Sequence, residues 1–298
     1  MKKIKSKITG VGSYLPSKIV TNYDLSKTLD TDDLWIRERT GIRQRHIADE
    51  TEDTSDLGTH AAKNALKDSN TDPFSIDMII VATTTSDKVF PSVAAKIQSK
   101  LQASNAFAFD IQAVCSGFVY ALSVADNYIK LGQAKKILVI GAEKLSKIID
   151  WNDRRTAILF GDGAGAVVLE ANQSSEDPSD ILYSKLYTDG SLYNILQTSN
   201  GAHMSPKSIK IEMEGKEVFK HAVSKMFDAV SKALNQLDIT TNDIDFIIPH
   251  QANNRIISAL QKKLGLDKNK VISSVETHAN TSAASIPLAL KEKLYLKL

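Results

Sequence analysis

Apolar and polar positions along this chain follow two rhythms. Strand-like apolar runs at residues 76–83, 106–114, 136–141 and 164–170 read as buried strands. Residues 116–131 carry Phe118, Leu122, Ala125 and Ile129 at helical spacing. Residues 218–237 carry Phe219, Ala222, Met226, Val230 and Ala233 in the same way. A shorter apolar run at 245–248 reads as a strand, and residues 10–16 as a strand and turn. Strands alternating with amphipathic helices predict an α/β fold whose helices cover sheet faces.

The pattern repeats once, at a shift of 168 residues. Ala65-Leu66 falls on Ala233-Leu234, Ile76-Asp77 on Ile244-Asp245, Ile79-Ile80 on Ile247-Ile248 and Ala121-Leu122 on Ala289-Leu290. Each match is cheap alone, and chance likeness of two βα units is the competing account. Four at one shift point to an internal duplication. The seam is expected at residues 172–180, where Ser, Asp, Glu and Pro cluster, dividing the chain into 1–173 and 174–298. Leu298 corresponds to Lys130, so the second half is expected to lack counterparts of its last two strands.

A net charge of +2 gives no bulk argument for nucleic-acid binding. The charged start, residues 1–7, lacks the apolar stretch that a signal peptide needs, and no run is long enough to span a membrane. With one cysteine in the chain, the expectation is a soluble protein of the reducing cytoplasm.

Three polar groups carry chemistry. Cys115 has no partner for an intrachain disulfide and is either core filler or a nucleophile. A strand pattern leads into it and a helix pattern leads out, so the helix N-terminus is placed to favour a thiolate. His250 follows the apolar run 245–248, where a strand emerges from a sheet and α/β sites place their chemistry. A histidine hydrogen-bonded near the core is the bland reading. Asn280 precedes a small-residue helix start and alone reads as a cap or turn. Cys115 and Asn280 nevertheless fall at nearby positions of the two repeats, so packing of the halves could bring all three to one pocket. No metal-ligand spacing is present.

The motifs around these residues, Ala-Val-Cys-Ser-Gly-Phe (113–118), Pro-His-Gln-Ala-Asn (249–253) and Asn-Thr-Ser-Ala-Ala-Ser (280–285), resemble those of β-ketoacyl-acyl-carrier-protein synthase III, in the thiolase superfamily. Gly12–Pro16, Asp33–Ile36, Arg39–Arg43 and Phe160–Gly165 extend the resemblance from the first strand to the end. It implies a thiolase-like fold, two pseudo-symmetric βα halves layered α-β-α-β-α, with the second short of its last two strands. It implies an acyltransferase that loads an acyl group from acetyl-CoA onto Cys115. Condensation with malonyl-acyl-carrier protein (ACP) follows, with His250 and Asn280 stabilising the enolate. Acetyl-CoA is a substrate, and no cofactor or metal is implied.

The same resemblance assigns CoA contacts to Thr31, Trp35, Arg39, Arg154, Gly215, Phe219 and Asn253. It assigns ACP contacts to Gln251, Ala252, Asn253, Asn254 and Arg255, with Lys262 and Lys263 further along that helix. Phe90 matches a residue offered to the acyl pocket across a homodimer. Gly161-Asp162-Gly163 lacks the Lys-Ser/Thr of a phosphate loop and reads as a tight turn. Three departures stand out: Ala279 where Gly more often precedes the asparagine, Arg155 where Gly is common, and the short C-terminal side, with the loss of a second oxyanion donor and impaired stability and activity as its expected consequence. The alternative to an enzyme is an inactive remnant or interaction protein that keeps the motifs.

Overall fold

The computed structural model describes residues 4–172, 179–201 and 209–295. Most of the predicted seam, residues 173–178, lies outside them. The strands are β1 (Lys5–Tyr14), β2 (Lys18–Thr21), β3 (Gln44–Ile47), β4 (Met78–Ala82), β5 (Phe107–Ile111), β6 (Lys136–Glu143), β7 (Gly163–Asn172), β8 (Leu196–Thr198) and β9 (Ile211–Met213). The helices are α1 (Asn22–Ser26), α2 (Asp33–Thr40), α3 (Thr54–Asp68), α4 (Val93–Leu101), α5 (Gly117–Lys130), α6 (Arg154–Ala157), α7 (Gly215–Leu237), α8 (Asn254–Leu264), α9 (Val275–His278) and α10 (Ser285–Tyr295).

Five strands form the main sheet in the order β1-β7-β6-β4-β5. β4 runs parallel to β5 and β6, and β7 is antiparallel to β6 and β1. All five residues of β4 are buried, as expected of a strand covered on both faces. α3 and α4 cover one face, packing Leu57, Ala61, Ala65 and Ile97 on Ile79, Val81, Leu138 and Ile140. α5 covers the other with Phe118, Ala121, Ala125 and Ile129 on Met78, Ile80 and Val139. α10 lies on that second face as well, against β1 and β7. A fully buried Leu, Ile or Phe in these layers contributes about 1.5–3 kcal/mol.

The repeat recurs in the elements. The 3-10 turns Pro73–Ser75 and Val114–Ser116 have counterparts Thr241–Asp243 and Ser282–Ala284 at the shift of 168, and α5 begins at Gly117 as α10 begins at Ser285. The strand-like run of the second half is less regular. Residues 245–248 do not form a ladder; Ile247 makes a single parallel bridge to Val271. β4 has a strand hydrogen-bonded on each side, whereas residues 245–248 have only this bridge among the described residues. β8 and β9 pair as a separate hairpin.

Gly161-Asp162-Gly163 is not a tight turn. Asp162 is buried and accepts from the N–H groups of Ala48 and Ser146 and from the Ser146 hydroxyl. This carboxylate ties the entry of β7 to the chain after β3. No helix among the described residues is long and apolar enough to cross a membrane.

Candidate active site

Cys115 sits in the 3-10 turn between β5 and α5, with Gly117 opening the helix. It lies in a recess, partly accessible yet surrounded by protein, and burial pushes its thiol up to about 11. The Ser282 hydroxyl, hydrogen-bonded to it, favours the thiolate, and the Glu143 carboxylate opposes it. The expectation of a resting thiolate is therefore corrected: desolvation outweighs what the helix start offers, and Cys115 rests as the thiol.

The six residues 280–285 gather the rest of the site. Asn280 donates its N–H to Leu159 and accepts from the Gly161 N–H, a bridge that fixes the start of the segment. Its side-chain Oδ1 accepts from the Ser282 N–H at 2.8 Å, which leaves the NH2 group as its free end. Ser282 Oγ donates to Glu143 at 3.2 Å. Ser285 Oγ accepts from the Gln251 N–H at 3.2 Å and pairs with His250 Nδ1 at 2.7 Å. Gly141 admits this segment onto the main sheet, since a Cβ there would meet the Ala283 carbonyl oxygen at 2.3 Å. Cys115, His250 and Asn280 are thus linked through one short stretch, each predicted residue at its edge.

His250 is neutral, because burial lowers its pKa to about 4. A Ser285 hydroxyl that already accepts from Gln251 has its proton to give to Nδ1, so the ring proton is assigned to Nε2. An Nε2–H and an Asn280 NH2 are two donors suited to a developing oxyanion. Backbone strain collects here as well. Val114, Ala279 and Ser282 have φ of 45°, 57° and 49°, left-handed values that non-glycine residues rarely hold. Val114 and Ser282 are repeat counterparts. Among the described residues no group of three or more His, Cys, Asp or Glu could hold a metal ion.

Trp35, on α2, has the Arg39 guanidinium 4.2 Å and that of Arg154 5.1 Å from its ring centre. Arg154 also reaches Asp30 Oδ2 at 2.9 Å and, with Arg155, lines a cleft of about 560 Å3. Thr31 Oγ1 is buried without a hydrogen-bond partner among the described residues, as a ligand contact would leave it. Phe219 lies under Arg255, 5.8 Å from its guanidinium, and both line a second cleft of about 310 Å3 with Arg37, Asn254 and Lys262. α2 thus contributes to both groupings. Gly215 opens α7 and lines neither cleft. Asn253 caps α8, its Oδ1 accepting from the Ile256 N–H. Phe90 is 81% exposed on the loop between β4 and α4.

Gln251 does not fit the role of a docking contact. It is fully buried, donates to the Pro249 and Ile272 carbonyls and accepts from the Ser274 N–H. Its amide is used up inside the protein, where it holds the loop carrying His250. Ala252 and Asn253 are partly exposed, and Asn254 and Arg255 are exposed.

Sequence reasoning missed Glu143, Ser282 and Ser285. Both serines lie within a quoted motif. Glu143 had one signal: a carboxylate closing the apolar run of β6, where a charge is costly unless paired or neutralised. It is buried, takes hydrogen bonds from the Thr84 N–H and the Thr85 hydroxyl, and burial raises its pKa to about 7.

Comparison with known proteins bears on this geometry. Residues 109–190 match the family 3-Oxoacyl-[acyl-carrier-protein (ACP)] synthase III, and residues 234–296 match its C-terminal part. Beta-ketoacyl-[acyl-carrier-protein] synthase III of Paramagnetospirillum magneticum is 54% identical over 97% of this chain and 90% of that protein. The protein of the same name from Wolbachia pipientis is 54% identical over 96% and 89%. The crystal structure of 3-oxoacyl-[acyl-carrier-protein] synthase III from Aquifex aeolicus superposes with a TM-score of 0.92 at 48% identity, covering 98% of this chain and 91% of that one. None of these relatives supports the alternative of an inactive remnant or interaction protein.

Proposed function

This chain belongs to the 3-oxoacyl-[acyl-carrier-protein] synthase III family, and from that premise we propose how its own residues do the work. It is a condensing enzyme of the acyltransferase type that initiates fatty acid biosynthesis. Cys115 attacks the thioester of acetyl-CoA or a similar primer, splitting one hard transfer into two easier steps. Malonyl-ACP then loses carbon dioxide. The enolate formed gathers charge on its thioester oxygen, where His250 Nε2–H and the Asn280 NH2 donate. Such preorganised donors give a few kcal/mol each. Attack of the enolate on the Cys115 thioester gives the 3-oxoacyl-ACP and frees Cys115 as the thiolate, which takes a proton from water. The substrates supply all the chemistry this needs, so no cofactor enters.

Trp35, Arg39 and Arg154 grip the CoA nucleotide, together with the buried, unpartnered Thr31 hydroxyl. Gly215, Phe219 and the amide nitrogen of Asn253 line the pantetheine path. Arg255, with Arg37 and Lys262 around its cleft, offers positive charge to an acidic carrier protein, alongside Ala252 and Asn254. Division at 173/174 leaves the nucleophile in one half and its two donors in the other. A homodimer in the cytoplasm completes the reading. β5 is an uncovered sheet edge, and Val89 and Phe90 are exposed apolar residues nearby in the chain, the features that a second copy would cover.

The stretch 280–285, bonded to Cys115, to His250 and within itself to Asn280, carries this reading. Incubation with acetyl-CoA followed by intact and peptide mass spectrometry should find one acetyl group, on Cys115, absent from C115A. H250A and N280A should still be acetylated while condensation with malonyl-ACP falls about a hundredfold or more. An acetyl group that persists in C115A would sink the assignment.

A further inference from the structure

The mechanism above leaves one group idle: a buried carboxylate one hydroxyl away from the nucleophile. Glu143 ends β6 beneath the site. Its Oε2 accepts from Thr85 Oγ1 at 2.6 Å and the Thr84 N–H at 3.1 Å, and its Oε1 accepts from Ser282 Oγ at 3.2 Å. Ser282 also bonds the Cys115 thiol. When the Ser282 hydrogen lies toward Glu143, the Ser282 oxygen can accept from the Cys115 thiol; turned toward the sulfur, the same hydroxyl favours the thiolate. Cys115, Ser282 and Glu143 therefore stand in a row from three different segments: the turn before α5, the turn before α10, and the end of β6.

Resting on the reading of Cys115 as nucleophile, we infer that Ser282 and Glu143 form the proton path that makes the thiolate on demand. As sulfur attacks the thioester, the thiol proton passes to Ser282 Oγ while the Ser282 proton passes to Glu143 Oε1. The pair ends as thioester and carboxylic acid. The departing CoA thiolate takes that proton back by the same route and leaves as the thiol. Ser282 touches the reacting sulfur, and Glu143 acts through it.

Four observations support the path. The thiol holds its proton at neutral pH, so the attack needs an acceptor. Glu143 has a pKa near 7, so it is available both to take a proton and to return it. Other charged or titratable groups nearby are engaged elsewhere. Lys144 sends its ammonium to the Asp49 and Glu52 carbonyls, Asp162 is held by Ala48 and Ser146, and the His250 ring is held by Ser285. Ser282 itself sits at φ 49°, a strained backbone that aims its side chain.

The test is the pH dependence of Cys115 alkylation by iodoacetamide, read by intact mass from pH 5.5 to 9.5, which needs no turnover. The wild type should rise in two steps, the lower near pH 7, where Glu143 begins to share the proton, and the upper as the second proton leaves. E143Q should keep only the upper step, with alkylation at pH 8 falling about tenfold, the worth of one charge-assisted hydrogen bond. E143D should restore the lower step, a rescue that a packing role would not give. S282A removes one hydroxyl, keeps the carboxylate, and should also lose the lower step. It decides the matter if E143Q fails to fold. An E143Q or S282A profile that matches the wild type would overturn the path, as would a faster E143Q, which would mean the carboxylate only opposes the thiolate. Failure to acetylate Cys115 at all would instead overturn the nucleophile reading.

Discussion

α3 and α7 are both amphipathic and both precede a strand-like run at the repeat spacing, yet nine residues of α3 are buried and none of α7. The difference lies in what they rest on. α3 covers a sheet in which β4 has a strand on each side. α7 rests with Met226, Phe227 and Val230 on a small cluster from α8, Ile247 and Val271, and Phe246 beside it stays exposed. An apolar stripe nominates the face of a helix that can be buried; only a sheet beneath it delivers the burial. The second half still places its chemistry firmly, because the stretch bearing Asn280 and the start of α10 packs on β6, β7 and β1 of the first. Asn280 is tied to Leu159 and Gly161 of the first half, and His250 to Ser285 at the start of α10.

Side-chain truncation should expose this asymmetry most strongly. Leu57, fully buried between α3 and the sheet, should cost about 2–5 kcal/mol when replaced by Ala, as buried leucines do. M226A, on the partly buried face of α7, should cost about 1 kcal/mol in proportion to its lesser burial. Urea denaturation of both variants checks the pair. Equal losses would mean that α7 is as well covered as α3.

The halves should also respond oppositely to pH. His250 and His278 in the second half fall to about 4 through burial, from an ordinary 6.5, with His46 beside His278 adding to it. A folded pKa below the unfolded one means that the unfolded chain binds the proton first, so stability drains away from pH 6.5 down to 4. The limit is about 3 kcal/mol per ring, and less because both keep some exposed surface. Glu143 in the first half is raised from 4.5 to about 7, so its contribution is full below 4.5 and is lost as pH rises through 7. H278N should flatten the acid limb of stability against pH, and E143Q the neutral limb. An acid limb unchanged in H278N would remove His278 from the account.

Much of this was readable from the chain, and the boundary is physical. The runs at 76–83 and 136–141 became β4 and β6 because a strand covered on both faces must be apolar throughout, a property local to its own sequence. The repeat was legible from four dipeptide matches at one shift, and the turn bearing Cys115 and the turn before α10 share a backbone, down to left-handed Val114 and Ser282. Three facts were hidden. Gln251 points inward because its partners, Ile272 and Ser274, come from another segment. The Cys115 thiol is raised by surroundings that the chain assembles only on folding. Glu143 reaches Ser282 across 139 residues, a contact no local pattern encodes.

The smallest expected effect separates strain that the repeat shares from strain that one half carries alone. Val114 and Ser282 are left-handed in both halves, so that backbone belongs to the turn itself. Ala279 has φ 57° and ψ −159°, close to a region that is essentially glycine's, while its counterpart Ile111 ends the regular strand β5. Such a conformation costs an alanine about 1–3 kcal/mol. Its methyl packs on Ile42, Ile257 and Val275, which returns about 0.8 kcal/mol, and glycine adds flexibility to the unfolded chain, about 0.5–1 kcal/mol against it. The strain outweighs these terms by a small margin. A279G should therefore be more stable by up to about 1 kcal/mol, a rise in Tm of about 2 °C for a chain of this size. A fall in Tm for A279G would mean that the Ala279 methyl, and not its backbone, sets the balance just before Asn280.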